Sequence, residues 1–301
     1  MEWMRAVQRL REQRAPGVLV TLTSVRGHSP REAGAKMVVS ADRTWATVGG
    51  GNLEAVAIER ARAILTEGIA VPETMKVSLS DKAPYQHGVQ CCGGEVELLL
   101  EPLPTVPSVA IFGMGHVGLE LARILARHDL ELHLVDSRPA QLEPERLRGL
   151  DDAVAGIHVH QVPVLPELVI GELPEGTHVL VMTHDHAEDA ALCDAALRAS
   201  QLGSIGLIGS SAKWSRFRAK LAEEGHAPEA IARIATPIGL PDLGGKAPAT
   251  IAVSVAARLL QLFSGVSTSS TTGDRTTTGD RTTTGDRTTT GDRTTTKEQT
   301  P

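Results

Sequence analysis

Five short segments of this 301-residue chain combine glycines and polar side chains in spacings that can do chemistry. The sharpest is Gly113-Met114-Gly115-His116-Val117-Gly118, a Gly-x-Gly-x-x-Gly run that follows the β-rich stretch Ser108 to Phe112. In that setting Gly113 allows a tight turn, Gly115 lets a phosphate approach the backbone, and Gly118 lets helix and strand pack closely. A helix starting there adds unpaired N–H groups and a partial positive charge, which suit an anion. Asp136 closes the next apolar run, 18 residues past Gly118, where a carboxylate commonly binds ribose hydroxyls. The set specifies a dinucleotide-type fold more strongly than a bound nucleotide, because such folds hold many ligands or none.

The other four segments are less specific. Gly49-Gly50-Gly51-Asn52-Leu53-Glu54 puts three glycines before a helix. It can form a nest of N–H groups for an anion, or simply a turn that tolerates positive φ. Gln90-Cys91-Cys92-Gly93-Gly94 offers adjacent thiols in a glycine-containing stretch. A thiolate suits a soft metal or sulfur exchange, and the alternative is a pair of inert cysteines. No second Cys pair at zinc spacing accompanies it. Thr183 to Asp189 (Thr-His-Asp-His-Ala-Glu-Asp) follows an apolar run, with His184 open to acid–base work and Asp185 expected to cap the next helix. Gly209-Ser210-Ser211-Ala212-Lys213 fits an anion site at a helix start without matching a P-loop.

These segments need elements to position them. Residues 1–15 read as an amphipathic helix, followed by β-rich runs at 17–23, 35–39 and 45–48. Asn52 is a candidate N-cap for a helix over 53–65, and two further strands fall at 75–79 and 95–100. Pro102, Pro104 and Pro107 mark a linker over 102–107. Beyond it, strands near 109–112, 131–135, 178–183 and 204–208 alternate with helices at 116–128, 186–200, 212–224 and 248–263. Such alternation implies βαβ units and a parallel sheet. The expected fold class is therefore α/β. A small mixed domain over 1–101 precedes a Rossmann-type domain over 108–265. Residues 266–301 hold a Thr-Thr-Thr-Gly-Asp-Arg repeat with almost nothing to bury, and read as a disordered tail.

Bulk properties narrow the function. The net charge of −6 and the scarcity of aromatics (three Trp, one Tyr, three Phe) argue against a nucleic-acid partner. Three cysteines, Cys91, Cys92 and Cys193, make no disulfide framework and fit a reducing compartment. The charged N-terminus lacks the apolar centre of a signal peptide, and no apolar run is long enough to span a membrane, so a cytoplasmic location is expected.

Taken in order, the motifs resemble the XdhC/CoxI family. Gly27-His28-Ser29-Pro30-Arg31 is similar to its G-S-x-P-R turn, with His28 standing where the family has serine. Gly34-Ala35-Lys36-Met37, Gly49 to Glu54 and Cys92-Gly93-Gly94 match its G-x-x-M, G-G-G-x-L-E and C-G-G segments. The later half carries its GxGxxG, its T-H-D-x-x-x-D (Thr183 to Asp189), its G-S-x-x-K (Gly209 to Lys213), its P-I-G-L (Pro237 to Leu240) and the helix after it. After Leu240 the chain departs from the family, reading Pro241-Asp242-Leu243-Gly244-Gly245.

The resemblance implies an accessory chaperone, with cofactor handling rather than turnover as its task. Such a protein binds the molybdenum cofactor, shields it during sulfuration by a cysteine desulfurase, and inserts it into a xanthine dehydrogenase-type molybdoenzyme. It also implies a homodimer. The cofactor-binding residues would be Ser29, Arg31, Gly49, Gly50, Gly51, Glu54, Cys91, Cys92, Gly113, Gly115, Gly118, Asp136, His184, Ser210 and Lys213, with Cys92 facing molybdenum. Two other readings stay open. One is an NAD(P)-dependent oxidoreductase using the glycine loop and His184. The other is a redox-responsive interaction protein switched by Cys91 and Cys92.

Overall fold

The computed structural model describes residues 1–79 and 94–264. Cys91, Cys92 and the repeat tail lie outside the described residues. The first module grows from strict alternation. Helix α1 (Glu2–Glu12) precedes strand β1 (Gly17–Arg26), in which Val18, Val20 and Leu22 are fully buried on one side. Strands β2 (Lys36–Val39) and β3 (Thr44–Ala46) follow, then helix α2 (Gly51–Glu67), β4 (Glu73–Ser78) and β5 (Glu95–Leu103). The five strands pair antiparallel in the order β3-β2-β1-β5-β4.

Leu53, Ala57, Ala61 and Ile64 recur every three or four residues along α2, so they form one stripe that buries against Val20, Leu22 and Leu98. Gly68 ends the helix in the left-handed conformation, its N–H donating to Ile64 O. On the opposite face α1 packs Ala6 and Leu10 against Val38. Two details differ from the sequence reading. The N-cap of α2 is Gly50, not Asn52, because successive positive φ angles at Gly49 and Gly50 start the helix two residues earlier. The expected linker is shorter, since Pro102 and Leu103 still pair with β1.

The second module alternates strand and helix. Its strands are β6 (Ser108–Phe112), β7 (Glu131–Asp136), β8 (Gly156–Gln161), β9 (His178–Val181), β10 (Ser204–Leu207) and β11 (Ile234–Ala235). The helices are α3 (His116–Leu125), the short α4 (Pro144–Leu147), α5 (His186–Arg198), α6 (Ser211–Glu223), the short α7 (Pro228–Ile231) and α8 (Pro248–Phe263). All pairings are parallel, in the order β11-β10-β9-β6-β7-β8. Numbered from β6, that is the 3-2-1-4-5-6 order of a doubly wound Rossmann sheet read from the other edge. Every residue of β6 is buried, as expected for a strand covered on both faces. One face packs against α3 and α8, including Leu121, Leu125, Val255 and Leu259. The other packs against α5 and α6, including Leu192, Ala196, Phe217 and Leu221. The strand order reverses between β6 and β9, so a crevice opens beyond the carboxyl ends of those strands.

Candidate functional site

The crevice is floored by the glycine loop between β6 and α3. Gly113 has φ +109°, and a Cβ there would stand 2.4 Å from Met182 O. Gly118 is equally constrained: its Cβ would meet Gly113 O at 2.1 Å. Gly115, the N-cap of α3, differs from both, for a Cβ there would meet nothing within 4 Å. The steric part of the sequence reading is met at Gly113 and Gly118, which sit in close backbone contact, and Gly115 leaves open space at a helix N-terminus.

Asp136 sits at the mouth, only 3% exposed. Its Oδ2 accepts the Met114 N–H at 2.7 Å and Arg138 Nη2 at 2.9 Å. Its Oδ1 accepts the Arg138 N–H and Nε, both at 2.9 Å. Burial alone would raise this carboxyl, but the bonds from Arg138 and Met114 hold it below the usual carboxylate range. Next to it, Ser137 Oγ donates to Glu188 Oε2 on α5 at 2.7 Å, so the β7 rim is tied to the β9 side. Arg146 Nη2 donates to Met114 O at 3.3 Å, while its Nε is buried without a partner among the described residues.

The first module carries its own glycine turn. Gly49, Gly50 and Gly51 all have positive φ. The Gly50 N–H donates to Glu54 Oε2 at 3.0 Å, the same oxygen accepts Thr47 Oγ1 at 2.6 Å, and the Gly49 N–H donates to Thr47 Oγ1 at 3.1 Å. The turn is thus filled by a carboxylate of its own helix. Pro30 lies against Gly49, about 3.6 Å from where a Cβ would stand, which brings the 27–31 turn beside it. Gly94, the first described residue before β5, abuts the backbone of Arg26 and His28. Ser29 Oγ accepts the Arg31 N–H at 3.4 Å, and Arg31 is exposed. Ser29, Arg31, Gly49, Gly50, Gly51 and Glu54 therefore share one end of the antiparallel sheet.

This architecture and these motifs meet a known family. Residues 109–259 match the XdhC Rossmann domain, and residues 10–75 match the XdhC and CoxI family. The chain belongs to that family. Three curated relatives are each 26% identical to it. YqeB of Escherichia coli, an uncharacterized protein, aligns over 84% of this chain and 45% of its own length. PaoD of Escherichia coli, a molybdenum cofactor insertion chaperone, aligns over 74% of this chain and 76% of its own. A probable xanthine dehydrogenase subunit from Bacillus subtilis aligns over 54% and 45%. The chain thus spans about half the length of YqeB. A solved xanthine dehydrogenase from Bacillus halodurans aligns over 90% of this chain and 98% of its own, at 20% identity and a TM-score of 0.45.

Within this XdhC chain the T-H-D-x-x-x-D and G-S-x-x-K segments prove to be one assembly. Asp189, wholly buried, accepts the Thr183 N–H at 3.0 Å and the Thr183 hydroxyl at 2.7 Å on Oδ1. Its Oδ2 accepts Lys213 Nζ at 2.5 Å, and the same ammonium donates to Ile208 O at 3.1 Å. Lys213 is therefore engaged internally, with only 14% of its side chain exposed. Asp185 caps α5 as expected, accepting the Ala187 N–H at 2.6 Å, and Ser210 caps α6 by accepting the Lys213 N–H at 3.3 Å. His184 is exposed in the loop between β9 and α5.

Sequence reasoning missed Arg138, Arg146 and Glu188, because none belongs to a recognisable spacing. It also missed a cavity of about 440 Å³ beside Ser210, lined by Gly209, Pro237, Gly239, Lys246 and Ser254. The P-I-G-L segment walls it and is held by Ser254 Oγ, which accepts the Leu240 N–H at 2.7 Å. No helix of the described residues is long and apolar enough to cross a membrane. No group of three or more His, Cys, Asp or Glu suited to a metal ion occurs among them.

Proposed function

We propose that this XdhC-family chain is a carrier of the molybdenum cofactor that delivers it to a xanthine dehydrogenase-type molybdoenzyme. The observation that carries the reading is the open glycine turn at Gly115, at the start of α3 and at the switch point of the parallel sheet. A phosphate-bearing cargo fits there, since unpaired N–H groups and a helix dipole favour an anion and no side chain fills the space. PaoD, named as an insertion chaperone for this cofactor, aligns with most of the chain. The geometry suits holding rather than turnover: Asp136, Asp189, Lys213 and Glu54 are engaged in internal bonds.

In this reading the cargo is protected while a cysteine desulfurase supplies sulfur, and Cys92 with Cys91 faces the molybdenum. That assignment rests on the soft character of a thiolate. Ser210 and the adjacent cavity offer a second place for a polar part of the cargo. The carrier would act in the cytoplasm as a homodimer. The runner-up, an NAD(P)-dependent oxidoreductase with His184 as acid–base, draws on the same glycine loop and strand order.

The test is to mix the purified full chain anaerobically with freshly released cofactor and separate bound from free by gel filtration. Molybdenum and pterin in near-stoichiometric amounts in the protein peak are expected. A folded sample without either sinks the carrier reading. Retention and delivery unchanged in Cys92→Ala remove the role of that thiol.

A further inference from the structure

A Rossmann crevice commonly recognises an adenine dinucleotide through the carboxylate at the end of the second strand, which accepts the ribose hydroxyls. An ionised carboxylate offers about four acceptor positions, two on each oxygen. At Asp136 all four are filled. Oδ2 takes the Met114 N–H and Arg138 Nη2, and Oδ1 takes the Arg138 N–H and Nε. Three of the four donors come from Arg138, two residues further along. Its side chain, 32% exposed, lies over a carboxylate that is 2% exposed. The charge of Glu188, which also holds Ser137, adds to the attraction that keeps Arg138 in place.

We infer that Arg138 is a specificity determinant: it closes the ribose-diol subsite, so the crevice rejects adenine dinucleotides while the turn at Gly115 stays open to ligands without a diol at that position. A ribose diol has two hydroxyls that need an acceptor there. Seating them means breaking two charge-assisted bonds from the guanidinium and leaving that charge to find new partners. A ligand that approaches only the α3 N-terminus incurs neither penalty.

Removing the guanidinium should open the subsite. Arg138→Ala removes the Nε and Nη2 donors and leaves one acceptor position free on each oxygen, while the Met114 and residue-138 N–H groups still hold the carboxylate. Calorimetric titration of the full chain with ADP-ribose, and separately with NADPH, reads the result. The wild-type protein is expected to show no binding of either up to about 1 mM. Arg138→Ala should bind ADP-ribose about tenfold or more tighter than wild type, the scale of one hydrogen bond to a charged group. Adding Asp136→Ala to that variant should erase the gain.

Wild-type protein that binds ADP-ribose as well as the variant overturns the inference. So does wild-type protein that takes NADPH tightly, because Arg138 would then be a ligand for the 2′-phosphate instead of a barrier. A folded Arg138→Ala without any gain overturns it too. Should that variant lose its fold by circular dichroism, Arg138→Met keeps the apolar stem and repeats the test, while the two wild-type titrations stand unaffected. Failure of the cofactor-retention assay with these titrations as expected would sink the carrier reading and leave this one intact.

Discussion

The two modules solve the same local problem in different ways. Each has a glycine turn at a helix N-terminus and a carboxylate that binds its N–H groups: Glu54 in the antiparallel module, Asp136 in the parallel one. The Gly49 to Gly51 turn is built by conformation. All three residues have positive φ, and a Cβ at Gly50 would meet nothing within 4 Å. The Gly113 to Gly118 loop is built by contact. Its outer glycines are pressed against backbone, and only the middle one faces open space. Glu54 reaches into its own turn, whereas Asp136 holds the loop from the side and leaves the N-cap of α3 free. One carboxylate therefore occupies its turn and the other braces the loop beside an open N-cap.

The largest expected effect tests how far the carboxyl edge of the parallel sheet depends on buried charge. Lys213→Met leaves Asp189 buried and uncompensated, and should lower stability by about 3–5 kcal/mol. The double variant with Asp189→Asn should recover much of that loss. Urea unfolding of both reads the difference, and a single variant within about 0.5 kcal/mol of wild type would show that the pair contributes little. Next in size is a matched pair of glycine substitutions. Gly118→Ala forces a Cβ against Gly113 O and should cost about 3 kcal/mol, while Gly50→Ala meets only an unfavourable φ of +76° and should cost about 1 kcal/mol. Equal losses in thermal melts would erase the distinction between turns made by contact and by conformation.

Acid should separate the modules in the same direction. In the parallel module, burial pushes the His133 imidazole down to about 4, with the charges of His158, His160 and Arg14 adding to it. His133 Nδ1 and His160 Nε2 lie 3.0 Å apart and share one hydrogen bond, and burial also lowers His160 and His178. The unfolded chain takes up a proton near the ordinary value of 6.5, whereas folded His133 takes it up only near 4. Its contribution is therefore fully present above pH 6.5 and is lost as the pH falls from 6.5 toward 4, by about 3 kcal/mol. Asp136, held below its ordinary 3.8, loses its contribution only at lower pH still. The described part of the first module has one histidine, the exposed His28. Between pH 6.5 and 4 the parallel module should open first in hydrogen exchange. His133→Gln should flatten the slope, and an unchanged slope would move the cause elsewhere.

Much of this arrangement was legible in the sequence. The period-two burial of β1, the stripe on α2 and the strand–helix alternation after residue 108 are direct consequences of where apolar side chains recur. The close packing at Gly113 and Gly118 also followed, since each is a steric requirement tied to a fixed spacing. Strands β8 and β11 were not legible: β8 interleaves two histidines with Ile157 and Val159 at a sheet edge, and β11 has only two residues. The Asn52 cap failed because an asparagine side chain is a good cap in general, but three glycines can start a helix without one. Nor could spacing reveal that Lys213 is engaged by Asp189, or that Arg138 covers Asp136. Those bonds link separate segments or curl back within one turn, and no periodicity encodes them.

The smallest expected effect returns to the first turn. Glu54 accepts one backbone N–H and one hydroxyl, both neutral, and lies partly exposed to water. Glu54→Ala should therefore cost about 1 kcal/mol, because water can replace much of what is removed. Stability alone would make this an ordinary turn. The informative readout is anion affinity, since removing the carboxylate also takes a negative charge out of a nest of N–H groups. If the turn is a binding site held shut by Glu54, the variant should take up inorganic phosphate more tightly than wild type in a calorimetric titration. If the turn only starts α2, phosphate affinity should stay the same while the melting temperature falls. The first outcome would make the two glycine turns alike in capacity and different only in their carboxylates. The second would leave Gly115 as the open turn of the pair.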